Sequence, residues 1–267
     1  MLRKPAVAGH FYQASPDRLK EQVRRYVTTD SQKTRALGVI SPHAGFIYSG
    51  GVAGAVYSGI LLPDTFILIG PNHTGAGTSV SVFPEGKWEM PNGEVEVDAG
   101  IAQSIVDKAR CASMDYDAHR GEHCLETQLP FLQYIKGNFK IIPIVMMSTS
   151  IDVCKELGHA ISRTIQEAQR DVLIVASSDM THYESAASAK EKDNKAIEKI
   201  LALDPAGLHT AVKGYGITMC GFAPAVTMLY AAMDLGATKA TLVKYMNSGD
   251  ISGDYDQVVG YAGVIVQ

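Results

Sequence analysis

The chain has 267 residues, 46% of them hydrophobic and 19% charged, with a net charge of −4. That length and apolar content supply a substantial core, and the slightly negative balance gives no electrostatic case for a nucleic-acid or anionic-membrane partner. Basic residues gather only over 20–25, which fits the solvated face of a helix. No run approaches the roughly 20 apolar residues needed to cross a bilayer, and Met1-Leu-Arg-Lys-Pro lacks the apolar stretch of a secretory signal. Cys111, Cys124, Cys154 and Cys220 are scattered without a C-x-x-C pair. A disulfide framework or zinc knuckle is not expected, and a reduced cytoplasmic setting is.

No repeat, low-complexity tract or linker divides the sequence, so one domain over 1–267 is expected. Ser15-Pro16 reads as a helix start, an N-cap followed by proline at the first position, with Leu19, Val23, Tyr26 and Val27 at helical spacing. Residues 36–40 form the first strand and 50–61 a helix; 65–69 form the next strand. Residues 79–97 carry Pro91-Asn-Gly93 between two short runs, a hairpin signal, and predict an antiparallel excursion covering one sheet edge. Helices are predicted over 99–110 and 124–135, a strand over 140–146, a helix over 152–169 and a strand over 171–176. Helices over 185–201 and 223–235 follow, then strands over 240–245 and 261–266. Most strands are continuous apolar runs, as in strands covered on both faces. The alternation predicts a three-layer α/β/α sandwich with a mixed, mostly parallel central sheet.

Three buried strands end alike. Gly38-Val-Ile-Ser-Pro leads to His43, Ile67-Leu-Ile-Gly-Pro-Asn to His73, and Leu173-Ile-Val-Ala-Ser-Ser to Asp179, with His182 beyond. Ligands bind at the carboxyl ends of strands in open α/β sheets, where such termini converge. Two histidines and a carboxylate are a metal-binding set, and proline and glycine around His43 fix the backbone that aims its ring. Third-ligand candidates are Asp179, Glu122, Glu126 and Cys220. A single histidine at a strand end is by itself an ordinary structural residue; the threefold repeat carries the expectation of a site.

Gly121-Glu-His-Cys-Leu-Glu126 places Glu122, His123 and Glu126 together. If a helix starts near Glu122, His123 and Glu126 share a face suited to orienting ligands or moving protons, while Leu125, Leu129 and Leu132 face the core. The same residues also read as an ordinary charged first turn. Cys220 precedes an apolar helix, a location that lowers a thiol pKa; a buried cysteine beside a tight turn is the alternative. Cys111, Cys124 and Cys154 lie in helical patterns as core or surface residues. Asp250-Ile-Ser-Gly-Asp-Tyr-Asp256 fails the EF-hand pattern, and Gly70-Pro-Asn-His-Thr-Gly-Ala-Gly77 is not a P-loop.

Taken together, Arg3-Lys-Pro-Ala-Val-Ala-Gly-His-Phe-Tyr12, Pro42-His-Ala-Gly45, Gly70-Pro-Asn-His73, Glu122-His-Cys-Leu-Glu126, Ser177-Ser-Asp-Met-Thr-His182 and Thr218-Met-Cys-Gly221 resemble the Memo family along nearly the whole chain, and Gly260-Tyr-Ala-Gly263 also fits. The resemblance implies the fold of class III extradiol dioxygenases, which use non-haem Fe(II). It implies metal ligands at His43, His73 and Cys220, the cysteine standing where those enzymes have glutamate. It sets His182 as a base and Asp179 in the same pocket. It further implies iron or copper and redox chemistry, phosphotyrosine-peptide signalling in animal members, and archaeal and bacterial relatives found beside radical-SAM proteins. A thiolate ligand favours copper or zinc and is itself oxidisable, so ring cleavage does not follow from the fold.

The expected function is a metal-binding, redox-active α/β protein, with iron or copper, or else zinc, on His43, His73 and Cys220. His182 and His123 would move protons, and Glu122 and Glu126 would orient them. Its ligand would be a small molecule or peptide, and Tyr48 a pocket wall. The competing readings are a zinc hydrolase with Glu122 as base and a non-catalytic peptide-binding protein.

Overall fold

A computed structural model of the chain describes residues 1–28 and 32–267. Four parallel strands form the centre, in the spatial order Lys140–Met146, Thr65–Pro71, Val172–Ser177 and Gly38–Ser41. Every residue in them except Lys140 is buried, which is why their sequences show no polar alternation. Their side chains feed two cores. Ile40, Ile69, Ile144 and Ile174 pack with Leu157 of the helix Ile151–Ala168 and Leu229 of Phe222–Asp234. Val39, Leu68, Val145 and Val175 pack with Val56 of Phe46–Ser58 and Leu132 of Leu129–Ile135. The result is the predicted sandwich, with helices on both faces of one twelve-stranded sheet among the described residues.

The predicted hairpin pairs Lys87–Met90 with Gly93–Val97, and the second strand lies parallel to Lys140–Met146, extending the central block on that side. Leu2–Arg3 adds one more strand against Lys87 and Trp88. On the other side Val258–Val266 runs antiparallel to Gly38–Ser41 and also pairs with Ala240–Asn247 and His182–Glu184. No helix of the described residues is long and apolar enough to cross a membrane.

Three local expectations need correction. The helix predicted over 50–61 starts four residues earlier, at Phe46, because Phe46 is buried in the core and Gly45 supplies the N-cap. The helix predicted over 124–135 is broken: Glu126–Gln128 is a single 3-10 turn, and the α-helix is Leu129–Ile135. Glu122 and His123 precede it in a turn, so the expected helical face joining His123 to Glu126 does not form. The helix Pro205–Gly214 was not predicted, although its signals are present: Asp204 caps it by accepting from Gly207 N at 2.8 Å, and Pro205 opens it.

Gly54 shows how tightly the Phe46–Ser58 helix is seated. A Cβ there would lie 2.3 Å from the Tyr26 carbonyl oxygen, a backbone atom that cannot swing aside. Gly→Ala in a helix interior ordinarily stabilises by up to ~1 kcal/mol. At this position the sign reverses, and Gly54→Ala should destabilise by roughly 1–3 kcal/mol through overpacking. Chemical denaturation of the two proteins checks this; equal or greater stability of the alanine variant contradicts the packing described.

Candidate metal centre

The register of the parallel block places the chain segments after Ser41, Pro71 and Ser177 at one sheet edge, since Ser41 pairs with Ser177 and Ile69 with Ala176. His43, His73 and Asp179 are therefore neighbours. His43 and His73 ring centroids are 5.2 Å apart. His123 arrives from the turn before the 3-10 helix and stacks on His73 at 4.6 Å, with its centroid 5.5 Å from that of His43. The potential ligand atoms of the three histidines all lie within 4.8 Å of one another, so this group can hold a metal ion. His43 is buried, His123 half-buried, and His73 faces solvent.

Hydrogen bonds fix which nitrogen of each ring is bare. The single proton of Ser177 Oγ goes to the Cys124 carbonyl at 2.6 Å. Its other partners, the Gln128 side-chain amide and His43 Nδ1, each 2.9 Å away, must then donate to it. His43 carries its proton on Nδ1 and presents a lone pair at Nε2. Gln128 also binds the Pro42 carbonyl at 3.0 Å, and His43 N donates to Asp179 Oδ1 at 2.8 Å, so the ring and its backbone are both held. His73 Nδ1 donates to Glu122 Oε1 at 2.9 Å, which leaves its Nε2 bare as well. A hydrogen bond at one ring nitrogen is what orients metal-ligating histidines at the other.

Glu122 is fully buried, and its carboxylate accepts four hydrogen bonds. These come from His73 N at 2.6 Å, the His73 ring, His123 N at 2.9 Å and Cys124 N at 3.0 Å. Burial favours its neutral form, but the bonds from His73 and Cys124 win and hold its pKa down to about 2. A second possible metal group, His73, Glu122 and Cys124, overlaps the first. Its chemistry is less suitable. The Glu122 oxygens are occupied, and the Cys124 thiol, pushed well up by burial and by Glu122, donates to the Pro71 carbonyl at 3.2 Å.

Cys220 meets the cluster through one member: its Sγ lies 3.2 Å from His43 Nε2 and accepts from Asp179 N at 3.3 Å. It is not part of either three-residue group. Of the two readings of Cys220, the thiol with a lowered pKa is not what forms, because burial and the Asp179 carboxylate push it upward. Gly221 permits this approach, since a Cβ there would sit 2.2 Å from the Ser177 carbonyl oxygen. Burial raises Asp179 to about 6 against the pull of His43 N. His182 donates from Nδ1 to the Thr218 carbonyl at 3.0 Å, which fixes its ring beside Asp179 and His43, the two groups that feel it electrostatically. Tyr48 is 38% exposed on the first turn of its helix.

Glu126 is turned away from the histidines. It pairs with the buried Arg3 guanidinium and accepts from Ala6 N at 2.7 Å, Val7 N at 3.1 Å and Tyr12 OH at 2.5 Å. Its expected direct role in orienting the site histidines has no contact behind it here. Sequence reasoning also passed over Ser177, Gln128 and Arg3. The first two had a signal, a polar side chain inside an otherwise apolar strand end or helix start.

The fold resembles that of an uncharacterized Escherichia coli K12 protein of known crystal structure, with a TM-score of 0.58, 11% identity, and 86% of this chain and 100% of that one covered. That likeness fixes the architectural class, an α/β sandwich. Sequence similarity is more particular. A Memo-like protein family model matches residues 3–265. MEMO1 family proteins of Methanopyrus kandleri and Methanosarcina acetivorans are 40% and 43% identical, covering 99% and 100% of this chain and 99% of each relative. The chain belongs to the Memo family.

The buried neutral groups predict acid lability. His119 is fully buried, and burial followed by the Arg3 charge lowers its pKa to about 3. Burial and the neighbouring His73 and His123 hold His43 well below its usual value too. An unfolded chain takes up a proton at each as pH falls through about 6.5, while the fold resists. Stability is intact above that pH and drains away below it, by on the order of 3–5 kcal/mol for His119 alone by pH 3. Glu122 adds a further loss below about 4.5. The unfolding temperature should therefore fall steadily from pH 7 to 4, and His119→Gln should flatten the slope. A level profile over that range contradicts the burial of these groups.

Proposed function

We propose that the chain, acting as one α/β domain over 1–267, is a metal-binding protein whose ion rests on His43 and His73, with Cys220 or His123 in the third position. The observation that carries this reading is the pair of bare Nε2 atoms, each set by a hydrogen bond at the opposite nitrogen. Imidazoles next to a thiol suit iron, copper or zinc rather than calcium or magnesium. His43 is already held in the neutral form that a cation requires, whereas Cys220 would have to lose its proton to bind. Bound iron or copper would supply redox chemistry as well as Lewis acidity.

The chain's own residues supply the proton handling. Asp179, at about 6, holds or releases a proton near neutrality. The bare Nε2 of His182 accepts one, its ring kept in place from Thr218. His123, half-buried beside His73, can hold or release a proton on the solvent side of the cluster. The resemblance to class III extradiol dioxygenases supports an oxidoreductase acting on a small molecule or peptide, and the link to radical-SAM partners belongs to the same resemblance. Free thiols at Cys124 and Cys220 suit a reduced cytoplasmic setting.

A zinc hydrolase with Glu122 as base is the weaker reading, because a carboxylate that accepts four hydrogen bonds at a pKa of about 2 is a poor proton acceptor. A peptide-gripping cleft has one observation in its favour. Tyr48 and Tyr183 are exposed, and both bear electrostatically on the buried Tyr261, whose phenol also feels Asp179.

Metal analysis of protein purified without tag or chelator tests the site. Wild type should carry roughly one equivalent of iron, copper or zinc, identified by anomalous scattering across the three edges. His43→Ala and His73→Ala should each weaken binding by more than the 10–100-fold typical of losing an outer-shell partner. Undiminished loading in both variants would falsify the assignment. Cys220→Ser separates the third position: lost binding selects Cys220, retained binding selects His123.

A further inference from the structure

Residues 3–12 pack against the histidine cluster although they belong to none of its strand ends. Phe11 places its ring edge-on to His123, with centroids 4.9 Å apart. The Phe11 carbonyl accepts from Phe46 N at 2.8 Å, which ties the same residue to the helix that begins three positions after His43. The segment is folded on itself, with His10 N and Phe11 N both donating to the Val7 carbonyl and Gly9 N to that of Tyr12. Gly9 adopts the left-handed region at φ 85°.

Two buried groups anchor this segment from beneath. The Glu126 carboxylate gathers Ala6 N, Val7 N and the Tyr12 hydroxyl, and it pairs with Arg3. The Arg3 guanidinium, over the Trp88 ring at 4.3 Å, donates from Nε to the His119 carbonyl at 3.0 Å and from Nη2 to the Glu122 carbonyl at 2.5 Å. Arg3 thus holds the main chain of the residue whose carboxylate aims His73. Every strong donor and acceptor of this buried ion pair is matched, which a pair excluded from water requires.

We propose that residues 3–12 are a built wall of the metal centre, and that Arg3 and Glu126 are positioning residues: Arg3 acts on His73 through Glu122, and Glu126 acts on His123 through Phe11. The proposal rests on the metal-binding reading for its functional meaning. It has structural content that holds in the metal-free protein, where the orientation of the two rings is at issue.

The test therefore uses two measurements on the full chain. Long-range ¹H–¹⁵N NMR of the histidine rings in metal-free protein reports tautomer and environment, and cobalt(II) titration reports affinity and d–d spectrum. Phe11→Ala removes only the ring against His123; Glu126→Gln removes the anchoring charge at nearly constant shape; Tyr12→Phe removes one anchoring bond. Phe11→Ala and Glu126→Gln should shift the His123 ring signals, and Glu126→Gln also those of His73. Each should weaken cobalt binding by roughly tenfold or more, as outer-shell losses do, and Tyr12→Phe should do so by less. Circular dichroism separates these effects from unfolding. If Glu126→Gln does not fold, Phe11→Ala and Tyr12→Phe decide. Folded variants with wild-type ring signals and wild-type cobalt affinity overturn the proposal. Absence of cobalt binding by wild type overturns the metal reading instead, and the ring signals of the metal-free variants still decide whether the wall sets the histidines.

Discussion

The buried Glu122 carboxylate is the interaction on which the site is organised. An ionised carboxylate taken out of water needs its lost solvation replaced in full. Here the replacement comes from main-chain and ring N–H groups of His73, His123 and Cys124. Satisfying one charge thereby fixes the backbone after the Thr65–Pro71 strand, the backbone of the 122–124 turn and the tautomer of His73. The same carboxylate takes up the free amides of His123 and Cys124 at the start of the turn that leads into the 3-10 segment Glu126–Gln128.

Three imidazoles packed this closely cannot all be charged. Burial and mutual repulsion keep His43 neutral, and burial lowers His123 against the opposing pull of Glu122. At His43 and His123 the cluster therefore resists protons where a cation would sit. Cys220 adds a neutral thiol against His43, and Asp179 a carboxyl that titrates near neutrality. The charge balance of the centre is thus left for an incoming ion to complete.

What was legible in the sequence follows the range of the interactions involved. Strand ends announce themselves locally, and parallel pairing guarantees that they meet, so His43, His73 and Asp179 could be read directly. The hairpin at Asn92-Gly93 was equally local. Glu126 could be named but not aimed, because its direction depends on the turn at 122–125, which a helical reading of the apolar spacing conceals. Ser177 and Gln128 set the His43 tautomer from 134 and 85 residues away in number, and no local pattern encodes that pairing. The glycines at 50 and 54 fall inside the predicted helix, but no local pattern says why they are glycines: they are where the helix touches Tyr26.

The same long-range wiring bears on how the molecule reaches its folded form. Arg3 meets Glu126 across 123 residues, and His43 meets Cys220 across 177. Contacts that close such long loops return stability only after a large entropic cost, and chains rich in them fold slowly. The parallel block closes long loops of its own, Gly38 against Ile174 and Thr65 against Val172, and the centre at its edge needs those strands as well as the segments that bring Arg3 and Cys220. The site that would hold the metal therefore cannot precede the sheet edge that carries it, and a collapsed state with these strands unpaired has no binding site.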